Sequence, residues 1–135
     1  HVWGQRFSVE DDQAVALGTL KERSEVVLAM KSMSGWTSVY TLNPVLPAAF
    51  LRALARQAGV HLYSDRDDTL YASRSYITVN ADGAGERTLR FLKPTDLYDP
   101  FTGETFARRV SKLVRNLRDK ETLLIRYSTA PRTGK

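Results

Sequence analysis

From Ser64 to Tyr127 the chain is written in short apolar segments separated by turn signals, and this texture constrains its fold more than any other feature. Thr69–Ser73 is strand-like, Tyr76–Asn80 carries Ile77 and Val79 on one face, and Thr88–Leu92 carries Leu89 and Phe91 on one face. Ala81–Glu86 is a loop rich in Asp and Gly, Lys93-Pro94 is expected to end a strand, Asp96–Tyr98 is brief, and Asp99-Pro100 through Thr102-Gly103 reverses the chain. Leu123–Tyr127 is the last strand, and Thr129–Lys135 is expected to be a frayed tail. Short strands at near-regular spacing predict an antiparallel sandwich or small barrel.

The first half reads differently. Trp3, Phe7, Val9, Val15 and Leu17 are spaced apolar anchors, and Asp12 is placed to cap a short helical turn over Gln13–Leu17 that Gly18 would end. Glu25–Met33 is a strand with a continuous apolar run. Ser34-Gly35 turns it into a second strand, Trp36–Leu42, and the two are expected to pair as a hairpin. Leu46, Phe50, Leu54 and Ala58 then recur every four residues behind Pro47, with Arg52, Arg56 and Gln57 elsewhere on the wheel. That pattern predicts an amphipathic helix at about 47–58, stopped by Gly59 and followed by a strand over Val60–Tyr63. The fold class expected is α+β, mostly antiparallel β and sandwich-like, with this one clear helix.

One segment fits two patterns. Phe106, Val110, Leu113, Val114 and Leu117 have helical spacing and would make a basic amphipathic helix. Among strands, Lys112–Leu117 is instead an edge strand whose cations face water and guard against edge pairing. The surroundings favour the strand.

The net charge of +5 comes from 20 Lys and Arg against 15 Asp and Glu in 135 residues. Arg108, Arg109, Lys112, Arg115, Arg118 and Lys120 stand against Asp119 alone in 106–120, so this stretch carries the excess. Such a stretch is either a solvated face or a contact for phosphate or acidic groups. No aromatic residue follows Phe106 within it to stack on bases, which argues against single-strand nucleic acid. The chain is shorter than the roughly 250 residues of a (β/α)₈ barrel. It has no Cys, which removes disulfides, thiolate ligands and cysteine nucleophiles. It has no apolar run long enough to span a membrane as a helix. A start at His1 without a charged-then-apolar leader is expected of a processed product or an excised piece.

Catalytic and cofactor motifs are scarce. His1 and His61 cannot form a histidine metal cluster, and His61 is expected to be structural. Gly83 and Gly85 precede a strand, so they make no dinucleotide loop. Asp65, Asp67 and Asp68 imitate a calcium loop but lack its glycine and distal glutamate, and read as a solvated turn. Asp82, Asp99 and Glu104 lie in turn contexts where backbone hydrogen bonding accounts for them. No catalytic residue, metal or cofactor is expected. Among the aromatic residues, Trp36, Tyr40 and Tyr98 are the candidates for stacking on sugar rings, against a plainer role in packing.

Three stretches together carry a family resemblance. They are Gly35-Trp36-Thr37-Ser38-Val39-Tyr40, then Leu46-Pro47 through Leu51-Arg52 to Ala58-Gly59-Val60-His61-Leu62-Tyr63, and Asp96-Leu97-Tyr98-Asp99-Pro100-Phe101-Thr102-Gly103-Glu104. This succession resembles the C-terminal region of bacterial glycoside hydrolases of the β-galactosidase type, over about Glu10 to Tyr127. In that family a catalytic barrel is followed by an amidotransferase-like, flavodoxin-type domain and a small β-sandwich. The resemblance implies that 1–64 is the closing part of the α/β domain and 65–135 the sandwich. It also implies that the catalytic glutamates lie on the barrel, so that no residue here inherits a catalytic role. The function it implies is a non-catalytic accessory part, partnered by the rest of a hydrolase or a second subunit and in possible contact with carbohydrate, with no membrane role. Half an α/β domain would leave apolar sheet surface exposed. Two alternatives stand beside it: a free-standing basic module that binds nucleic acid or an acidic partner through 108–120, and a carbohydrate-binding module.

Overall fold

A computed structural model describes residues 7–128. Trp3 and the expected tail Thr129–Lys135 lie outside them. The described residues are mostly antiparallel β with a single short helix, as the segment pattern predicts. It forms two compact units that divide between Pro47 and Ala48. The change of texture at Ser64 therefore falls inside the second unit, and the helix belongs with the strands that follow it.

The first unit is a three-stranded meander of β1 (Val15–Thr19), β2 (Val26–Met33) and β3 (Trp36–Thr41). The expected hairpin is present, with Met33 opposite Trp36 and Leu28 opposite Thr41. Gly35 sits at φ 85° in the tight turn, a conformation that favours glycine. The helical turn expected over Gln13–Leu17 is not formed. Asp11 accepts the Gln13 and Ala14 amides in a turn, and the chain then runs as β1 against β2. So short a helix would cost its nucleation without return, whereas β2 offers a ladder. Gly18 serves in an irregular register rather than as a helix stop, since a Cβ there would lie 3.3 Å from Leu28 Cβ. Ala29 is buried, while Val15, Leu17, Met33 and Trp36 remain exposed.

The second unit opens with α1 (Ala48–Gln57). Its end is a Schellman motif: Val60 N–H donates to Ala55 O at 2.8 Å, Gly59 N–H donates to Arg56 O at 3.0 Å, and Gly59 takes φ 72°. The strand expected over Val60–Tyr63 is not one. A backbone bond from Arg90 N–H to Tyr63 O ties it to its neighbour, which is no ladder. The strands are β4 (Thr69–Ala72), β5 (Tyr76–Asn80), β6 (Gly85–Tyr98), β7 (Thr105–Leu117) and β8 (Thr122–Ser128). They form one antiparallel sheet in the order β4-β5-β8-β6-β7.

The long β6–β7 hairpin gives the sheet its layered form. β6 does not end at Lys93-Pro94 as expected but continues past it. Between the pairs Arg90–Lys112 and Thr95–Val110, residues Phe91 to Pro94 stand opposite Ser111 alone, and Pro94 is tolerated because no ladder donor is needed there. A second bulge sets Arg108 and Arg109 opposite Asp96, with Arg109 at φ 51° and its N–H donated to Asp96 Oδ1 at 2.8 Å. In a straight strand Phe106 and Arg115 would lie about 30 Å apart. The Arg115 guanidinium instead sits 5.6 Å from the Phe106 ring centre, so β7 doubles over. The folded hairpin packs Leu89, Phe91, Leu113 and Leu117 with Ile77, Val79 and Ile125.

Beside this core lies a buried ion pair. Arg87 Nε and Nη2 donate to the two oxygens of Asp68 at 3.0 and 2.9 Å, and both side chains are essentially inaccessible, at 0% and 1%. The guanidinium also donates to the carbonyls of Asp82, Gly83 and Gly85, while Asp68 accepts the Asp82 N–H. No buried side-chain polar atom among the described residues lacks a partner. Removing one member of such a pair strands the other. Arg87→Met should lower stability by about 3–5 kcal/mol in urea unfolding. A loss under about 1 kcal/mol would show that the pair does not organise the unit.

Burial works to raise the Asp68 pKa, but the Arg87 hydrogen bonds and the Asp82 amide outweigh it and hold the carboxyl below its ordinary 3.8. A folded value below the unfolded one gives stability that is present above about pH 4 and lost as pH falls through the folded pKa. Acid titration should therefore unfold the protein below about pH 4, with the loss reduced in Asp68→Asn.

Candidate functional site

The acidic turn after α1 is an ion-pair hub. Asp65 bonds Arg56 at 2.5 Å and Arg90 at 2.6 Å, Asp67 pairs with Arg52, and Asp68 pairs with Arg87. Arg56 and then Arg90 hold Asp65 below the usual carboxylate range. The turn thus fastens α1 to β6, and among the described residues no group of three or more His, Cys, Asp or Glu is placed to hold a metal. Asp82 pairs with Lys120 at 2.5 Å, which lowers the acid and raises the amine. Asp99 accepts the Thr102 and Phe101 amides at 2.9 and 2.7 Å and is lowered by them. Asp99 serves its turn through backbone amides as its context predicts, whereas Asp82 is used by Lys120 and Asp68 is no part of a solvated turn: Arg87, delivered by β6, takes its carboxylate out of water.

The sugar-stacking candidates fall in different units. Trp36 and Tyr40 share one face of β3 and line a groove of about 280 Å³ with Met33, Ser38 and the pair Lys31–Asp11, which meet at 2.6 Å. Trp36 is 59% exposed, and the Tyr40 hydroxyl donates to Phe7 O. Tyr98 belongs to the second unit, where it is buried. Arg126 covers its ring at 4.9 Å, and its hydroxyl meets Asp96.

The basic candidates Arg108, Arg109, Lys112 and Arg115 are exposed along β7, with Arg118 just beyond it. This strand is an edge of the sheet. Arg118 pairs with Glu121 at 3.6 Å and Arg115 covers Phe106, while Arg108, Arg109 and Lys112 have no ion-pair partner among the described residues. The expected edge strand is what forms.

His61 is tied to β6 and to Tyr63. Its Nε2 lies 3.0 Å from Arg90 O and its ring meets Tyr63 edge-on. The sequence gives no sign of what Tyr63 joins: a second groove of about 270 Å³ lined by Tyr63, Arg74, Phe91, Leu92, Lys93, Thr95 and Tyr127. Four distant segments build it, and no local motif marks it.

No protein-family model, curated protein or solved structure matches the chain.

Tyr127 lies between these segments. Burial, then its hydrogen bond with Tyr63, pushes its hydroxyl up to about 12. Since the folded pKa exceeds the unfolded 10.0, the neutral phenol contributes stability in full below pH 10 and loses it as pH rises toward 12. Tyrosinate absorbance should show one late-titrating group that disappears in Tyr127→Phe. Titration of every tyrosine near pH 10 would contradict the buried hydroxyl.

Proposed function

We propose that the chain is a non-catalytic, structural part of a glycoside hydrolase of the β-galactosidase type, packing against the catalytic barrel or a second subunit. The observation that carries this reading is the use of the carboxylates. Asp65, Asp67, Asp68 and Asp82 bind cations, and Asp99 binds turn amides, which are roles in holding chain segments together. The three stretches that resemble the family include β3, the helix with its Schellman stop, and the β6–β7 turn, all of them scaffold positions. Met33 and Trp36 on one face of the three-stranded sheet are exposed apolar surface that a covering partner would bury, and Val15 is exposed on the other face.

A second reading is favoured by the unpaired cations on β7. Arg108, Arg109 and Lys112 on an edge strand suit an acidic partner or a phosphate backbone.

Two measurements test these readings. With chromogenic β-galactosides the chain should give no turnover, and the reading frame that encodes it should also encode a barrel with two glutamates at strand ends. Hydrolysis by the chain itself, abolished by an Asp or Glu substitution, overturns the structural role. Filter binding of duplex DNA across a salt series tests the second. Affinity that falls steeply with salt and is lost in Arg108→Ala/Lys112→Ala supports it, and salt-indifferent absence of binding dismisses it.

A further inference from the structure

We propose that the groove between Tyr63, the β4–β5 turn and the β6 bulge binds a small ring compound carrying both a carboxylate and hydroxyl groups, of the uronic-acid class. This is a binding function separate from the scaffold role above.

The charge requirement comes from Arg74 and Lys93. Both line the groove, and neither has a hydrogen-bond or ion-pair partner among the described residues. Most of the other arginines in this unit are already paired or stacked. Arg52, Arg56, Arg87, Arg90 and Arg118 meet carboxylates, and Arg115 and Arg126 cover aromatic rings. Two unmatched cations on one small groove suit a single anionic group.

Arg74 is held in place by its neighbours. Ser73 N–H donates to Tyr76 O at 2.8 Å, Ser73 Oγ accepts the Tyr76 amide, and Ser75 O accepts Tyr127 N–H at 2.8 Å. The backbone on both sides of Arg74 is therefore fixed before any ligand arrives, which limits the ordering cost of binding. Lys93 is carried by the bulge in which Phe91 to Pro94 face Ser111 alone. That bulge takes the chain off the ladder beside the groove.

The hydroxyl requirement comes from the phenols. Tyr127 Oη donates to Ser73 O at 2.5 Å, so its hydrogen is committed and its lone pairs remain to accept. Tyr63 Oη lies 3.5 Å from it. With that hydrogen used, the bond between the two phenols is donated by Tyr63, so a ligand hydroxyl inserted here donates to a remaining lone pair of either one. The ring requirement comes from the mouth: Leu92 is exposed there, and beside it the half-buried Tyr63 stands edge-on against the core ring of Phe91 at 6.4 Å. Their C–H and π surfaces suit the apolar face of a pyranose. A volume near 270 Å³ lies just below the usual range of ligand sites and admits one ring rather than a chain of them.

The test is an amide-resolved NMR titration of the whole chain with galacturonate, methyl galactoside, acetate and inorganic phosphate. Galacturonate should give saturable shifts at Tyr63, Arg74 and Lys93, with the other three binding at least about tenfold more weakly. Arg74→Gln alters an exposed turn side chain and should weaken galacturonate about tenfold, while amides away from the groove keep their positions. No saturable shift up to about 50 mM overturns the proposal. Equal binding of phosphate or acetate reduces the groove to a generic anion contact and overturns the ring. Equal binding of methyl galactoside overturns the charge. Undiminished binding in Arg74→Gln overturns the location.

Discussion

A guanidinium with no access to water, doubly bonded to an equally buried carboxylate, organises the larger unit. Arg87 reaches Asp68 in the turn after the helix, the carbonyls of Asp82 and Gly83 in the β5–β6 loop, and that of Gly85 at the head of β6. One side chain thus fixes two loops to the start of β6. Desolvating two charges is costly unless every donor and acceptor is met, and here they are. The arrangement favours one register of β6 over its neighbours, because a slip of one residue would turn Arg87 outward and leave Asp68 alone.

Around that pair the exposed charges divide by use. Acids cluster at chain reversals, where Asp65, Asp67, Asp68 and Asp82 meet cations and Asp99 meets backbone amides, so that each ties one segment to another. Among the described residues of this unit, cations without an ion-pair partner include Arg108, Arg109 and Lys112 along the β7 edge and Arg74 and Lys93 at the mouth of the Tyr63 groove. The scaffold reading and the ligand reading therefore draw on different residues.

The β7 segment shows why its sequence fits two patterns. The inward residues are Ala107, Val110, Leu113 and Leu117, a spacing of three and four that imitates a helix. Strand alternation is broken by the bulge at Arg108-Arg109 and by the excursion of Phe91–Pro94 opposite Ser111, which reset which residues face inward. Periodicity assumes a regular backbone, so a strand that carries one bulge and faces another escapes it. The same limit explains β6, where Pro94 reads as a stop although it falls at the point where pairing is already suspended. At the first strand the error runs the other way: Asp12 and Gly18 look like helix ends, but the ladder offered by β2 decides the conformation.

What the sequence determined by itself was local. The hairpin at Ser34-Gly35, the helix with its glycine stop, the reversal at Asp99–Gly103 and the basic character of 106–120 all follow from residues within a few positions of one another. The burial of Arg87, the assignment of each acid to its arginine and the union of Tyr63, Arg74, Lys93 and Tyr127 in one groove were decided by tertiary structure alone. Turn and helix preferences are set by the torsions of neighbouring residues, whereas the burial of a charge depends on a partner delivered by a distant segment, and no local pattern records where that segment will fold.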